Sequence, residues 1–214
     1  MRRLHLGIYV SVIVLFGILG YLAHRFAYLP GDVVFSQWLQ QAIPSSLNPV
    51  MQAISYVSYG IAAAVVVVAV SASLWLSGRR RESIFVAGLT SAAALVNWVL
   101  KLVISRPRPE SNLIQLIGPG TGFSFPSGHV TYAFVFYGFL FYLAPKLVKP
   151  TAGFAALRII LGLSIALTIV SRLYLGAHWF SDTLGSLLLG TLLLSLAIVL
   201  YNSLAPSTKV TPLS

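Results

Sequence analysis

The chain has 214 residues, 57% of them hydrophobic and only 8% charged, with a mean hydropathy of +0.88. Soluble domains carry about 25% charged residues, so an ordinary water-facing surface is excluded, and the apolar runs point to one membrane-embedded unit over residues 1–214. The 14 Lys and Arg against 4 Asp and Glu leave a net charge of +10. With so few polar residues to build a nucleic-acid surface, that charge suits anionic lipid head groups or a phosphorylated substrate. Cysteine is absent, which removes disulfides and thiolate metal sites from consideration.

A helix crosses the ~30 Å hydrocarbon core with roughly 17–25 residues. In chain order the candidate spans are 6–23, 54–76, 84–104, 130–144, 153–170 and 184–200. The fold class expected is therefore an all-α, polytopic bundle of six transmembrane helices. Met1-Arg2-Arg3 before an apolar run is also the layout of a cleavable signal peptide. The run is too long for that, and "YLAHRFAYLP" has no small-x-small cleavage site, so an uncleaved first span is expected. Between the first two spans, "VVFSQWLQQAI" (33–43) puts Val34, Phe35, Trp38, Leu39, Ala42 and Ile43 on one helical face. That pattern fits a short helix, either lying in the outer interface or packed on the protein. Residues 202–214 read as a mobile tail.

Six crossings put both termini on one side, and the basic residues set which. With the termini cytoplasmic, the inner segments hold Arg2, Arg3, Arg79, Arg80, Arg81, Lys146, Lys149, Arg158 and Lys209 of the 14. The outer side keeps Arg25, Lys101, Arg106, Arg108 and Arg172, gathered near span ends, which hints at a purpose other than topology.

Three short stretches carry the polar chemistry, all at outer span ends. In "KLVISRPRPE" (101–110), Lys101 sits inside an apolar run that Pro107 and Pro109 then terminate. A lysine there can also simply snorkel to the interface, and Arg108 can be an ordinary interfacial arginine. In "FSFPSGHV" (123–130), a span starting near Gly128 would aim the free N–H groups of its first turn into the loop as an anion site. Ser127 could cap that end or donate its hydroxyl, Gly128 would let an oxyanion approach the backbone, and His129 would stand beside it.

In "SRLYLGAHWFSD" (171–182), His178 and Asp182 are four apart and would meet on one helical face. A carboxylate on one imidazole nitrogen fixes the tautomer and frees the other nitrogen as base or nucleophile, although such a pair is often structural. Gly176 would break the element so that Arg172 and His178 converge. Charges near a membrane core are expensive and usually functional. Three cations, a helix N-terminus, two histidines and a carboxylate describe a phosphate pocket with acid–base groups.

Lys101-x6-Arg108-Pro109, Pro126-Ser127-Gly128-His129 and Ser171-Arg172-x5-His178-x3-Asp182 resemble, in order, the three signature motifs of the type 2 phosphatidic acid phosphatases. The resemblance covers about residues 84–190. It implies that His178 attacks phosphorus and becomes phosphohistidine, that Asp182 orients it, and that His129 protonates the departing oxygen and later activates water. It also implies that Lys101, Arg108, Arg172, Ser127 and Gly128 hold the phosphoryl oxygens. No metal or other cofactor is expected, because the fixed cations would supply the charge a magnesium ion would otherwise bring.

The substrate implied is a lipid phosphate or diphosphate: undecaprenyl diphosphate, phosphatidylglycerol phosphate, phosphatidic acid or a lipid A phosphate. The short loops resemble bacterial members and favour the first two, while a sugar phosphate stays open. Membrane lipids are the other partner, with no nucleic acid and no obligatory protein. The location implied is the cell membrane, with the active site facing the periplasm or exterior. A different class, an anion transporter or channel, would use the same cations but leave the His178–Asp182 spacing idle.

Overall fold

The computed structural model describes residues 2–118, 120–149 and 151–204, and within them every regular element is a helix. In order these are α1 (Arg2–Arg25), α2 (Asp32–Ala42), a 3-10 turn (Ser45–Leu47), α3 (Asn48–Val57), α4 (Gly60–Leu76), α5 (Arg80–Ile104), α6 (Gly128–Leu147), α7 (Ala152–Tyr174) and α8 (Phe180–Ser203). Of the tail expected to be mobile, residues 205–214 lie outside the described residues. Five helices (α1, α5, α6, α7 and α8) are long and apolar enough to span a membrane, and α3 with α4, bent by 58° at their junction, brings the number to six if the pair is one broken span.

The helices outrun the apolar windows seen in the sequence because backbone hydrogen bonding continues into the polar flanks. Thus α5 starts at Arg80, with Glu82 in its first turn, and α8 starts at Phe180, with Asp182 in its first turn. Carboxylates at those ends suit the helix dipole. The continuous span expected over 54–76 is corrected. The chain breaks between α3 and α4, where Tyr59 is fully extended (φ −158°, ψ 163°).

Helix α6 sits centrally against α5, α7 and α8, with α4 on α5 and α1 on α8. Its Phe136, Phe139 and Leu143 pack with Val86 and Tyr201 to form the main apolar core. Large side chains such as Ile8, Val65, Leu95, Ile159 and Leu196 point outward, as lipid-facing positions should. The ends of α5 and α7 and the starts of α6 and α8 meet at one end of the bundle. There His24 Nδ1, near the end of α1, lies 2.9 Å from the Ile104 carbonyl.

Helices α2 and α3 cover this end. The Gln40 amide donates to the carbonyls of Gln115 (2.7 Å) and Tyr174 (2.9 Å), tying α2 to the loop after α5 and to the end of α7. The single apolar face expected for α2 is split. Asp32, Ser36 and Leu39 are buried against the protein and Phe35 stacks on Phe180 at 4.3 Å, while Val34 and Trp38 face outward. The helix is thus packed on the bundle and still presents a tryptophan at its outer side.

Candidate active site

The first polar segment begins where α5 stops. Ser105 adopts a left-handed conformation (φ 53°), and Pro107 and Pro109 then forbid further helix. Lys101, one turn before that stop, donates to the carbonyls of Phe123 (2.6 Å) and Ser124 (3.1 Å). Its ammonium is therefore held at the pocket and does not snorkel away. Arg108 donates through Nε to Thr121 O (3.0 Å) and Gly122 O (3.1 Å), and through Nη1 to Ala177 O (2.6 Å). Burial draws its pKa below the usual arginine value, with Asp182 and Tyr59 opposing.

The second segment starts α6 at Gly128, as the anion-site reading requires. Of the two roles expected for Ser127, capping is absent, and its buried hydroxyl has no partner. Gly128 faces the cavity and is also needed for packing, because a Cβ there would lie 2.9 Å from the Tyr59 ring and 3.3 Å from Asn97 Oδ1. Asn97 in turn donates to Thr131 Oγ1 (3.1 Å), so α5 braces the turn. His129 stacks on Tyr59, with centroids 4.5 Å apart and planes 18° apart.

The third segment turns at Gly176 (φ +69°), where a Cβ would fall 2.2 Å from the Gln115 carbonyl oxygen. Only glycine fits, and the turn lets Arg172 and His178 face the same space. His178 and Asp182 do meet, with Nδ1 3.4 Å from Oδ2, but not as neighbours on one helix face. Trp179 is the N-cap of α8, so His178 precedes the helix. Asp182 reaches back over that cap to accept the Trp179 N–H at 2.9 Å.

On the other edge of the imidazole, Arg108 Nη1 lies 3.4 Å from Nε2. A guanidinium can only donate, so Nε2 carries the lone pair and Nδ1 the proton that faces Asp182. Burial, then the nearby cations Lys101, Arg108 and Arg172, push the His178 pKa well below the ordinary histidine value. The ring is neutral at pH 7.

These segments enclose a cavity of about 900 Å³ lined by Lys101, Arg108, Gly128, His129, Arg172 and His178. Asp182 and Ser127 are fully buried behind it. The two imidazole centroids are 6.4 Å apart. Both rings line the same cavity. A second, mainly apolar cavity of about 450 Å³ shares Tyr59, Trp98, Lys101 and Gly128 with the first, and runs along α4 and α5 past Val67 and Ala94. Among the described residues no cluster of His, Asp and Glu is arranged to hold a metal ion.

Several contributors are not evident from the sequence. Tyr59 walls both cavities. Ser55 of α3 accepts from Arg172 Nη1. Asp182 is gripped by the Ser124 hydroxyl and by Arg106, whose side chain is fully buried.

Residues 81–205 match the family model described as the PAP2 superfamily. The chain belongs to the PAP2 superfamily. It is 29% identical over 185 residues to phosphatidylglycerophosphatase B of Bacillus subtilis (strain 168), covering 86% of this chain and 90% of that one. It is 32% identical over 126 residues to undecaprenyl-diphosphatase BcrC of the same organism, covering 56% and 60%. The fold superposes on the crystal structure of the transmembrane PAP2-type phosphatidylglycerolphosphate phosphatase from Bacillus subtilis with a TM-score of 0.80, at 27% identity over 92% of this chain and 96% of that one. Aquifex aeolicus LpxE shares the fold at a TM-score of 0.65 and 20% identity, over 80% and 96% of the two chains. The protein is a lipid phosphatase of the PAP2 type, a multi-pass membrane hydrolase of phosphate esters.

Proposed function

We propose that this PAP2 member removes the terminal phosphate of a lipid phosphate or diphosphate at the outer membrane face, through a phosphohistidine on His178. The observation that carries the reading is the placement of His178, with Nδ1 toward Asp182 and Nε2 toward a cavity ringed by Lys101, Arg108 and Arg172. In the first step Nε2 forms a bond to phosphorus as the bond to the lipid oxygen breaks, and His129 gives that oxygen a proton. The imidazolium so formed is balanced by Asp182. In the second step His129 takes a proton from water, whose oxygen attacks phosphorus. The P–N bond breaks, and inorganic phosphate and neutral His178 are released. Three cations around the transferring group stabilise charge throughout.

The apolar cavity beside the phosphate pocket supports a substrate that keeps its tail in the bilayer while its phosphate is at head-group level. The names of the Bacillus subtilis relatives favour phosphatidylglycerol phosphate and undecaprenyl diphosphate as the first candidates. The test is phosphate release from a panel of both lipids, phosphatidic acid and a soluble sugar phosphate, in detergent with EDTA. Turnover of a lipid substrate is expected to survive chelation and to be inhibited by vanadate, whose trigonal-bipyramidal adduct on His178 would mimic the transition state. Loss of all activity with EDTA, restored by magnesium, would contradict this mechanism.

The outward orientation rests on the concentration of basic residues at the opposite end, where Arg79, Arg80, Arg81 and Lys146 gather. The chain has no cysteine, so single cysteines report cleanly. A cysteine at the exposed Asn112, in the loop beside the site, is expected to react with an impermeant thiol reagent in intact cells. One at the exposed Ser77 is expected to react only after lysis, and the reverse pattern would put the site in the cytoplasm.

A further inference from the structure

Arg106 does not line the substrate cavity. Its side chain is fully buried, although it lies in the loop just beyond a membrane span, where a lone buried charge would be very unfavourable. The fork of the guanidinium explains its presence. Nη1 donates to Asp182 Oδ1 at 2.6 Å and to Ser181 Oγ at 2.7 Å, and Nη2 donates to Asp32 Oδ2 at 2.9 Å. Asp32 is itself saturated. It accepts the Ser181 N–H (2.8 Å) and hydroxyl (2.7 Å) and the Leu29 N–H (2.8 Å). One cation thus bridges two carboxylates from distant parts of the chain, both packed on the first turn of α8, where the helix dipole favours negative charge.

We infer that Asp32 and Arg106 are positioning residues for the phosphatase reaction: the buried chain Asp32–Arg106–Asp182 sets the carboxylate that orients the nucleophile. The inference rests on the proposed role of His178 and Asp182. Asp182 Oδ2 already accepts from Trp179 N–H and the Ser124 hydroxyl, and Nδ1 of His178 stands 3.4 Å away, so a small rotation of this carboxylate decides whether the imidazole is held. Arg106 fixes Oδ1 and so removes that rotation. Asp32, the first residue of α2, anchors the other arm of the fork and thereby locks α2 over the catalytic turn. A lysine could not replace Arg106, because a point-like ammonium cannot present two donors in fixed directions to two carboxylates.

A double-mutant cycle tests the chain of action. Arg106→Lys keeps the charge but loses the fork. It is expected to lower kcat roughly tenfold with KM nearly unchanged, since Arg106 reaches Asp182 and does not reach the cavity. In an Asp182→Asn background the same replacement is expected to have almost no further effect, because its route to His178 is already cut. Asp32→Asn, which preserves shape and can still accept the Ser181 N–H, is expected to show a smaller loss of kcat with the same non-additivity. It keeps the test alive if Arg106→Lys does not fold, which thermal melting in detergent reports. Equal losses in both backgrounds, or a rise in KM in place of a fall in kcat, would overturn the positioning role. If Asp182→Asn itself leaves turnover intact, the reading of His178 and Asp182 fails and takes this one with it. If Asp182→Asn is impaired and the cycle is additive, only the relay is lost.

Discussion

His178→Ala is expected to reduce turnover on the order of 10⁶-fold, the scale on which loss of a nucleophile acts, and to leave no phosphoenzyme after an alkaline quench. The pocket should persist without the imidazole. Arg108 is anchored by three backbone carbonyls, Lys101 by two, and Arg172 by Ser55. Vanadate or substrate analogues should therefore still bind through the cations, although a vanadate adduct with nitrogen can no longer form and its affinity should fall. The combination of retained binding of phosphate monoesters with lost chemistry separates a missing nucleophile from a collapsed site. Appearance of labelled phosphoenzyme in His178→Ala would show that another group attacks phosphorus.

What the sequence made legible follows from rarity. In a chain this apolar, each charge or imidazole near a span end stands out, and Lys101, Arg108, His129, Arg172 and His178 do converge on one cavity. Local arithmetic did less well where tertiary packing decides the conformation. The four-residue spacing of His178 and Asp182 correctly placed them together, but through the N-cap turn of α8 and not along a helix face. Gly128 reads as room for an oxyanion and does line the cavity, but the sequence does not show that Tyr59, from the α3–α4 break, and Asn97, from α5, also occupy the space a Cβ would need.

The break at Tyr59 is hidden inside an apolar run, because hydropathy does not register an extended residue whose ring is stacked on His129. Asp32 and Arg106 are 74 residues apart, and Arg106 and Asp182 are 76 apart. Their pairing has no periodic signature, so Arg106 reads as one more outer cation. That Asp32 is one of only four acidic residues was the available clue to it.

His129→Ala is expected to produce a loss that depends on what leaves. The imidazole lies across the cavity from His178, 6.4 Å between centroids, and among the described residues it is fixed by the face of Tyr59 and by no hydrogen bond. In the proposed mechanism such a ring would give its proton to the leaving oxygen and later take one from the incoming water. A lipid alkoxide is a poor leaving group, so without the proton donor its expulsion should slow by about 10²–10⁴-fold, the usual contribution of general acid–base help. A nitrophenolate or the phosphate of a diphosphate departs with little protonation, and its first step should be nearly intact. In the proposed second step water would still have to be activated by His129. With an activated ester the variant should therefore release one equivalent of nitrophenolate quickly and then stall, accumulating phosphohistidine that the wild type hydrolyses. With a lipid monoester it should accumulate none, because the first step has become limiting. Equal loss for every leaving group, with no burst, would reassign His129 to shaping the pocket against Tyr59 and would leave the proton to a different donor.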